Sequence, residues 1–181
     1  NGGSAYPFRI GRSYNGSDYF GGSIDQVRIF NSALPQSAVT ALYNETTTTA
    51  TYDYVDYVDA NPNSVAYYKM SDATDQLGNY NGTASNVNFN TEGKYGFAGA
   101  FNGSSSLIQT GYTVPAISAY ALSLWFKSTS TSRQYLFSDY NSGGSDATTR
   151  LTLSINSGNF VFVLGNGSSG WLDSSVSASS Y

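Results

Sequence analysis

Asp25 sits inside the run Ile24-Asp-Gln-Val-Arg-Ile-Phe30. Simple strand alternation places its carboxylate on the face of Val27 and Ile29. An anion there loses hydration and needs compensation. A cation held by oxygen ligands would supply it, and so would Arg28 or backbone N–H groups. Histidine and cysteine are absent from the chain. Their absence removes the usual general base, the usual activator of a nucleophile and the ordinary ligands of zinc. Any metal bound here must therefore take oxygen ligands. Glycoside hydrolysis needs two carboxylates facing one cleft. Asp53, Asp56 and Asp59 are spaced by three, which sends alternate members to opposite faces of a strand. The chain is expected to be non-enzymatic, with no catalytic residue.

The elements that would position such groups are short strands. Tyr120, Leu122, Leu124 and Phe126 alternate onto one face, and Leu151-Thr-Leu-Ser-Ile155 alternates likewise. Phe160-Val-Phe-Val-Leu164 is apolar on both faces, as in a strand between packed layers. Turn residues separate these runs, at Asn102-Gly103, Ser142-Gly-Gly144, Asn156-Ser-Gly158 and Gly165-Asn-Gly167. One helix is expected near Gln36–Tyr43, with Val39, Leu42 and Tyr43 at helical spacing and Pro35 at its start. Residues 46–63 hold four consecutive threonines and a Tyr/Val-Asp alternation. They read either as a linker or as an added edge strand.

The 181-residue chain carries 12 acidic and 8 basic residues, for a net charge of -4. Its basic residues form no cluster, which disfavours nucleic acid as a partner. No apolar run approaches the length of a membrane span, so membrane insertion is not expected. Asn1-Gly-Gly3 does not read as a natural start, and the chain is expected to be an excerpt of a longer protein. Five N-x-[ST] sequons occur, at Asn15, Asn44, Asn81, Asn102 and Asn166. So Ser/Thr-rich a chain would show about four by chance, so they indicate little.

Two stretches carry a family resemblance. Ile10-Gly-Arg12, Tyr19-Phe-Gly-Gly-Ser-Ile-Asp-Gln-Val-Arg-Ile-Phe30, Ala33-Leu34 and the short helix resemble the C-terminal end of a LamG-like (concanavalin A-like) jellyroll. Val65-Ala-Tyr-Tyr-Lys-Met70, Asp75-Gln-Leu-Gly-Asn79, Asn81-Gly-Thr83, Gly93-Lys-Tyr-Gly-Phe97, Ala100-Phe-Asn-Gly103 and Leu122-Ser-Leu-Trp-Phe-Lys127 resemble its N-terminal half. The resemblance implies an all-β antiparallel β-sandwich jellyroll with one short helix. The order of the two stretches implies tandem modules. Residues 1–45 would end one jellyroll, 46–63 would be a Thr-rich linker, and 64–181 would begin the next. A circular permutant, with 1–45 packed onto 64–181, is the alternative.

The resemblance also implies function. In the family the aspartate of the I-D-x-V motif lies near Ca2+, and the matching oxygens here would come from Asp25, Asp72, Asp75 and the backbone near Gly78. Related jellyroll hydrolases carry an E-x-D-x-x-E strand, which this sequence lacks. Glycan binding is the inherited expectation, with Trp171, Asp173, Tyr140 and Asn141 as loop candidates. Trp125 falls at the family's core tryptophan position and is expected to be structural. The implied role is a fibre or adhesion segment at an extracellular, cell or virion surface. Its implied partners are cell-surface glycans or glycoproteins and neighbouring jellyroll modules. A purely structural fibre repeat and an accessory module of a secreted enzyme are the alternatives.

Overall fold

The computed structural model describes residues 7–13, 16–45, 61–115, 119–139, 151–165 and 171–177, the last seven and 164–165 by backbone alone. The chain opens with strands β1 (Pro7–Ile10) and β2 (Gly21–Phe30), followed by helix α1 (Gln36–Tyr43). Next come β3 (Ser64–Tyr68), β4 (Thr83–Ser85), β5 (Asn88–Glu92), β6 (Phe97–Asn102) and β7 (Leu107–Thr113). The remaining strands are β8 (Ala121–Lys127), β9 (Gln134–Ser138), β10 (Leu151–Asn156), β11 (Asn159–Gly165) and β12 (Trp171–Ser177).

These strands form two antiparallel sheets. The larger has the order β12-β11-β10-β9-β1-β7-β4. The smaller runs β3-β2-β6-β5, with β8 also paired to β2. The alternation read from the sequence positions them. Ile108, Thr110 and Tyr112 of β7 face inward while Gln109, Gly111 and Thr113 face out. Tyr120, Leu122, Leu124 and Phe126 all pack on the core, as their spacing predicts. Phe8, Phe20, Ile24, Ile29 and Phe137 are buried at its centre. Ser157 and Gly158 both take positive φ and close a two-residue hairpin between the paired Asn156 and Asn159. Gly11 follows β1 with φ +83, and a Cβ there would lie 2.3 Å from the Phe101 ring, so the chain can turn there only as glycine.

The tandem expectation does not match the strand pairing. β1 lies between β7 and β9 of the larger sheet. β2 pairs with β3, β6 and β8. Residues 1–45 therefore contribute interior strands to the same sandwich as residues 64–181, which is the permuted arrangement. The physical reason is backbone satisfaction. Without β1 and β2, the strands that flank them would present unpaired N–H and C=O groups inside each sheet. Motif order along the chain carries no information about which edge fills that slot. Residues 46–60, most of the expected linker, lie outside the described residues, as does any edge strand within them.

Helix α1 spans the expected residues but turns a different stripe inward. Ala38 and Leu42 are buried, whereas Val39 and Tyr43 are exposed. Leu42 packs with Tyr67, Leu34 and Leu77 on the outer face of the smaller sheet.

Candidate ligand-binding site

The site begins with an irregularity in β2. Asp25 is opposite Trp125 and Arg28 opposite Ser123, so three steps on β2 match two on β8. This is a β-bulge, and Gln26 takes φ 53 to make it. Ile24, Val27 and Ile29 stay in the core. Asp25 and Gln26 turn to the outer face with Arg28. The alternation that placed Asp25 beside Val27 and Ile29 is thereby overturned, because the bulge shifts the parity by one residue.

Beneath α1 the outer face holds a buried polar cluster. Arg28 Nη2 bonds Glu45 Oε1 at 2.7 Å, with both side chains fully buried. The same nitrogen donates to Gln26 Oε1 at 3.0 Å, and the guanidinium lies 4.7 Å from the Tyr67 ring centroid. The Tyr67 hydroxyl donates to Gln26 Oε1, and the Tyr95 hydroxyl donates to the backbone carbonyl of Glu45. Burial pushes the Glu45 carboxyl above its usual range, and Arg28 opposes that rise. Breaking such a pair strands a charge in a low-dielectric site, so the cluster fixes where the chain leaves α1.

Asp25 lies at the rim of this cluster. Its Oδ2 accepts the Tyr95 N–H at 2.9 Å, while its buried Oδ1 has no hydrogen-bond partner among the described residues. Burial raises its pKa, and the backbone N–H groups of Tyr95, Lys94 and Gln26 work against that. The turn joining β5 to β6 makes room for this carboxylate. A Cβ on Gly93 would sit 2.6 Å from Asp25 Oδ2, which explains glycine at that position. Trp125 projects on the same outer face. Its ring stacks with Tyr43 at 5.9 Å and 29° and meets the edge of Tyr95 at 6.3 Å and 85°. Lys94 Nζ lies 4.7 Å from the Trp125 centroid and 5.9 Å from that of Tyr95. Between Asp25, Glu92, Gly93, Lys94, Trp125 and Lys127 is a cavity of about 320 Å³. It offers an aromatic wall, one buried acceptor and both signs of charge. Such a surface is suited to binding a small polar ligand.

Residues 1–40 match the family model described as the concanavalin A-like lectin/glucanases superfamily. The fold is a concanavalin A-like β-sandwich. No curated protein and no solved structure gives a match. The matched segment supplies β1, β2 and Asp25, while Lys94 and Trp125 come from outside it. Among the described residues, no helix is long and apolar enough to cross a membrane.

The four residues expected to hold calcium do not converge in this sandwich. Asp75 Oδ1 accepts the N–H groups of Tyr67 and Leu77, and its Oδ2 accepts those of Asn79 and Tyr80. Its acceptor sites are filled by the loop it organises. That loop runs along the edge of β3 away from β2, through Gln76 N–H to Tyr67 O. Two strand spacings, about 10 Å, therefore separate Asp75 from the strand carrying Asp25. Asp72 Oδ1 accepts the Thr74 N–H at 2.7 Å in an exposed turn. Gly78 donates its N–H to the Asp75 carbonyl at 2.9 Å. Among the described residues, no group of three acidic side chains could hold a metal ion. Asp25, Asp72, Asp75 and Gly78 do not fit one calcium ion.

The other sequence candidates fall elsewhere. Tyr140 and Asn141 lie outside the described residues. Trp171 and Asp173 lie on β12, paired with Gly165 and Val163 of β11, and only their backbone is described. Trp125 is not in the core. The parity of Leu122, Leu124 and Phe126 sends it to the outer face, where it walls the cavity. Sequence reasoning named Asp25 but missed Trp125, Lys94 and Tyr43 as its neighbours. The strand parity of Trp125 was the available signal; nothing in the sequence tied Tyr43 or Lys94 to it.

Proposed function

We infer that this sandwich is a non-catalytic carbohydrate-recognising module, acting at an extracellular, cell or virion surface as part of a fibre or adhesin. One observation carries the reading. The cavity between Asp25 and Trp125 pairs an aromatic ring with a buried, partly unsatisfied carboxylate. A sugar has apolar C–H faces that suit the ring and hydroxyls that suit the acceptor. The superfamily match over residues 1–40 supports the same reading. Host-surface glycans or glycoproteins are its partners. The test is a glycan array probed with wild type and with Trp125→Ala. The wild-type chain should retain specific glycans, and the variant should lose at least roughly tenfold in affinity, as for loss of a buried aromatic contact. A wild-type chain that retains no glycan would leave a spacer role in its place.

A further inference from the structure

Lys94 shows what the aromatic wall accepts. Its ammonium already lies over Trp125 and Tyr95, close to the centre of the Trp125 ring. A ring face attracts a cation through its quadrupole, and more strongly when water is excluded. Lys94 is itself exposed. Asp25, only 3% exposed, is one of the residues around the same cavity, and among the described residues its buried Oδ1 has no hydrogen-bond partner. A buried carboxylate oxygen without a donor is costly, and an ammonium is the donor that compensates it best. With Lys94 turned away, the charged lining is Asp25, Glu92 and Lys127. Two carboxylates and one ammonium leave a single negative charge. One monovalent cation would balance it.

We propose that the cavity recognises the free ammonium of an amino sugar, which takes the place of the Lys94 ammonium against Trp125 and Tyr95 and pairs with the Asp25 carboxylate. The proposal rests on the carbohydrate reading and narrows it. Lys94 then acts as an internal competitor that holds the site closed until a ligand amine replaces it. N-acetylation of the sugar removes the charge and the recognition with it.

The experiment uses the full chain and calorimetric titration at mildly acidic pH, where the amines of a glucosamine oligomer are protonated. The ligands are three β-1,4-linked hexasaccharides, of glucosamine, N-acetylglucosamine and glucose. The glucosamine hexamer should bind at least roughly tenfold tighter than the other two, the order expected for a desolvated cation on an aromatic face. Asp25→Asn, which keeps an acceptor for the Tyr95 N–H, should weaken that hexamer by about 30-fold, as for one partner of a buried charge pair. Lys94→Met should strengthen it several-fold by removing the competitor. Equal binding of all three sugars, lost together in Trp125→Ala, would overturn the amine proposal and keep the carbohydrate reading. An amine preference unchanged in Asp25→Asn would also overturn it, because general attraction to an acidic protein would then explain the preference. Binding of none of the three would overturn the amine proposal and leave the carbohydrate reading to the glycan array.

Discussion

Asp25 and Asp75 are both nearly sealed from water, at 3% and 1% exposure, yet their surroundings are opposite. Asp75 receives four backbone N–H groups on its two oxygens. Asp25 accepts the Tyr95 N–H on Oδ2 and has the N–H groups of Lys94 and Gln26 and the Gln26 side chain close by, yet among the described residues its Oδ1 makes no hydrogen bond. The first carboxylate is spent on holding its own loop. The second is left in deficit beside a cavity. Burial alone does not distinguish these two acids; the donors within reach of each oxygen do.

Asp75→Asn should show the largest effect. An amide offers one accepting oxygen, so two of the four N–H groups would face its NH2 group. A loss of about 3 kcal/mol in urea denaturation is expected from the broken charge-assisted bonds. A loss below about 1 kcal/mol would mean that water can replace this carboxylate, and the contrast with Asp25 would fail.

Gly93→Ala comes next. Its Cβ would approach Asp25 Oδ2 at 2.6 Å and the Ala98 Cβ at 3.0 Å. Overpacking of this kind costs about 1–2 kcal/mol. In an Asp25→Ala background part of that cost should vanish, since one of the two clashes is gone. Additive penalties in the double variant would show that the carboxylate does not set the fit of this turn.

Asp25→Asn should change stability least, by no more than about 1 kcal/mol in either direction at neutral pH, because it removes a buried charge while keeping an acceptor. The sign of its pH dependence follows from the raised carboxyl pKa. The folded state takes up the proton before the unfolded chain does. Wild type therefore gains stability relative to the variant as pH falls through the raised value toward 3.8, and is level below it. A wild-type advantage that instead grows with rising pH would mean the carboxylate is already paired.

Much of the fold was legible because it rests on local alternation. The strand from Ala121 to Lys127 follows from apolar spacing, and the bounds of the helix from Gln36 to Tyr43, though not its inward stripe, follow from spacing together with Pro35. Trp125 shows the limit of analogy. Its strand parity pointed outward, but the resemblance drew it into the core. The bulge was hidden for another reason. Gln26 at φ 53 is neither glycine nor asparagine, so nothing in Asp-Gln-Val announces a left-handed residue. The Asp75 loop was legible as a motif but not as a donor-filled site, because backbone N–H groups leave no mark in side-chain chemistry. Pairings such as Arg9 with Gln109 join residues about a hundred positions apart, beyond the reach of any local pattern.

That distance has a consequence for the chain as it is made. The partners of β2 end at Lys127, so its apolar residues Ile24, Val27 and Ile29 leave the ribosome well before the strands that cover them. At ~5–20 residues per second, about a hundred further residues take about 5–20 s to appear. Until β3, β6 and β8 emerge in turn, the nascent segment keeps sticky, incompletely paired edges, and it is the point at which a chaperone would have most to do.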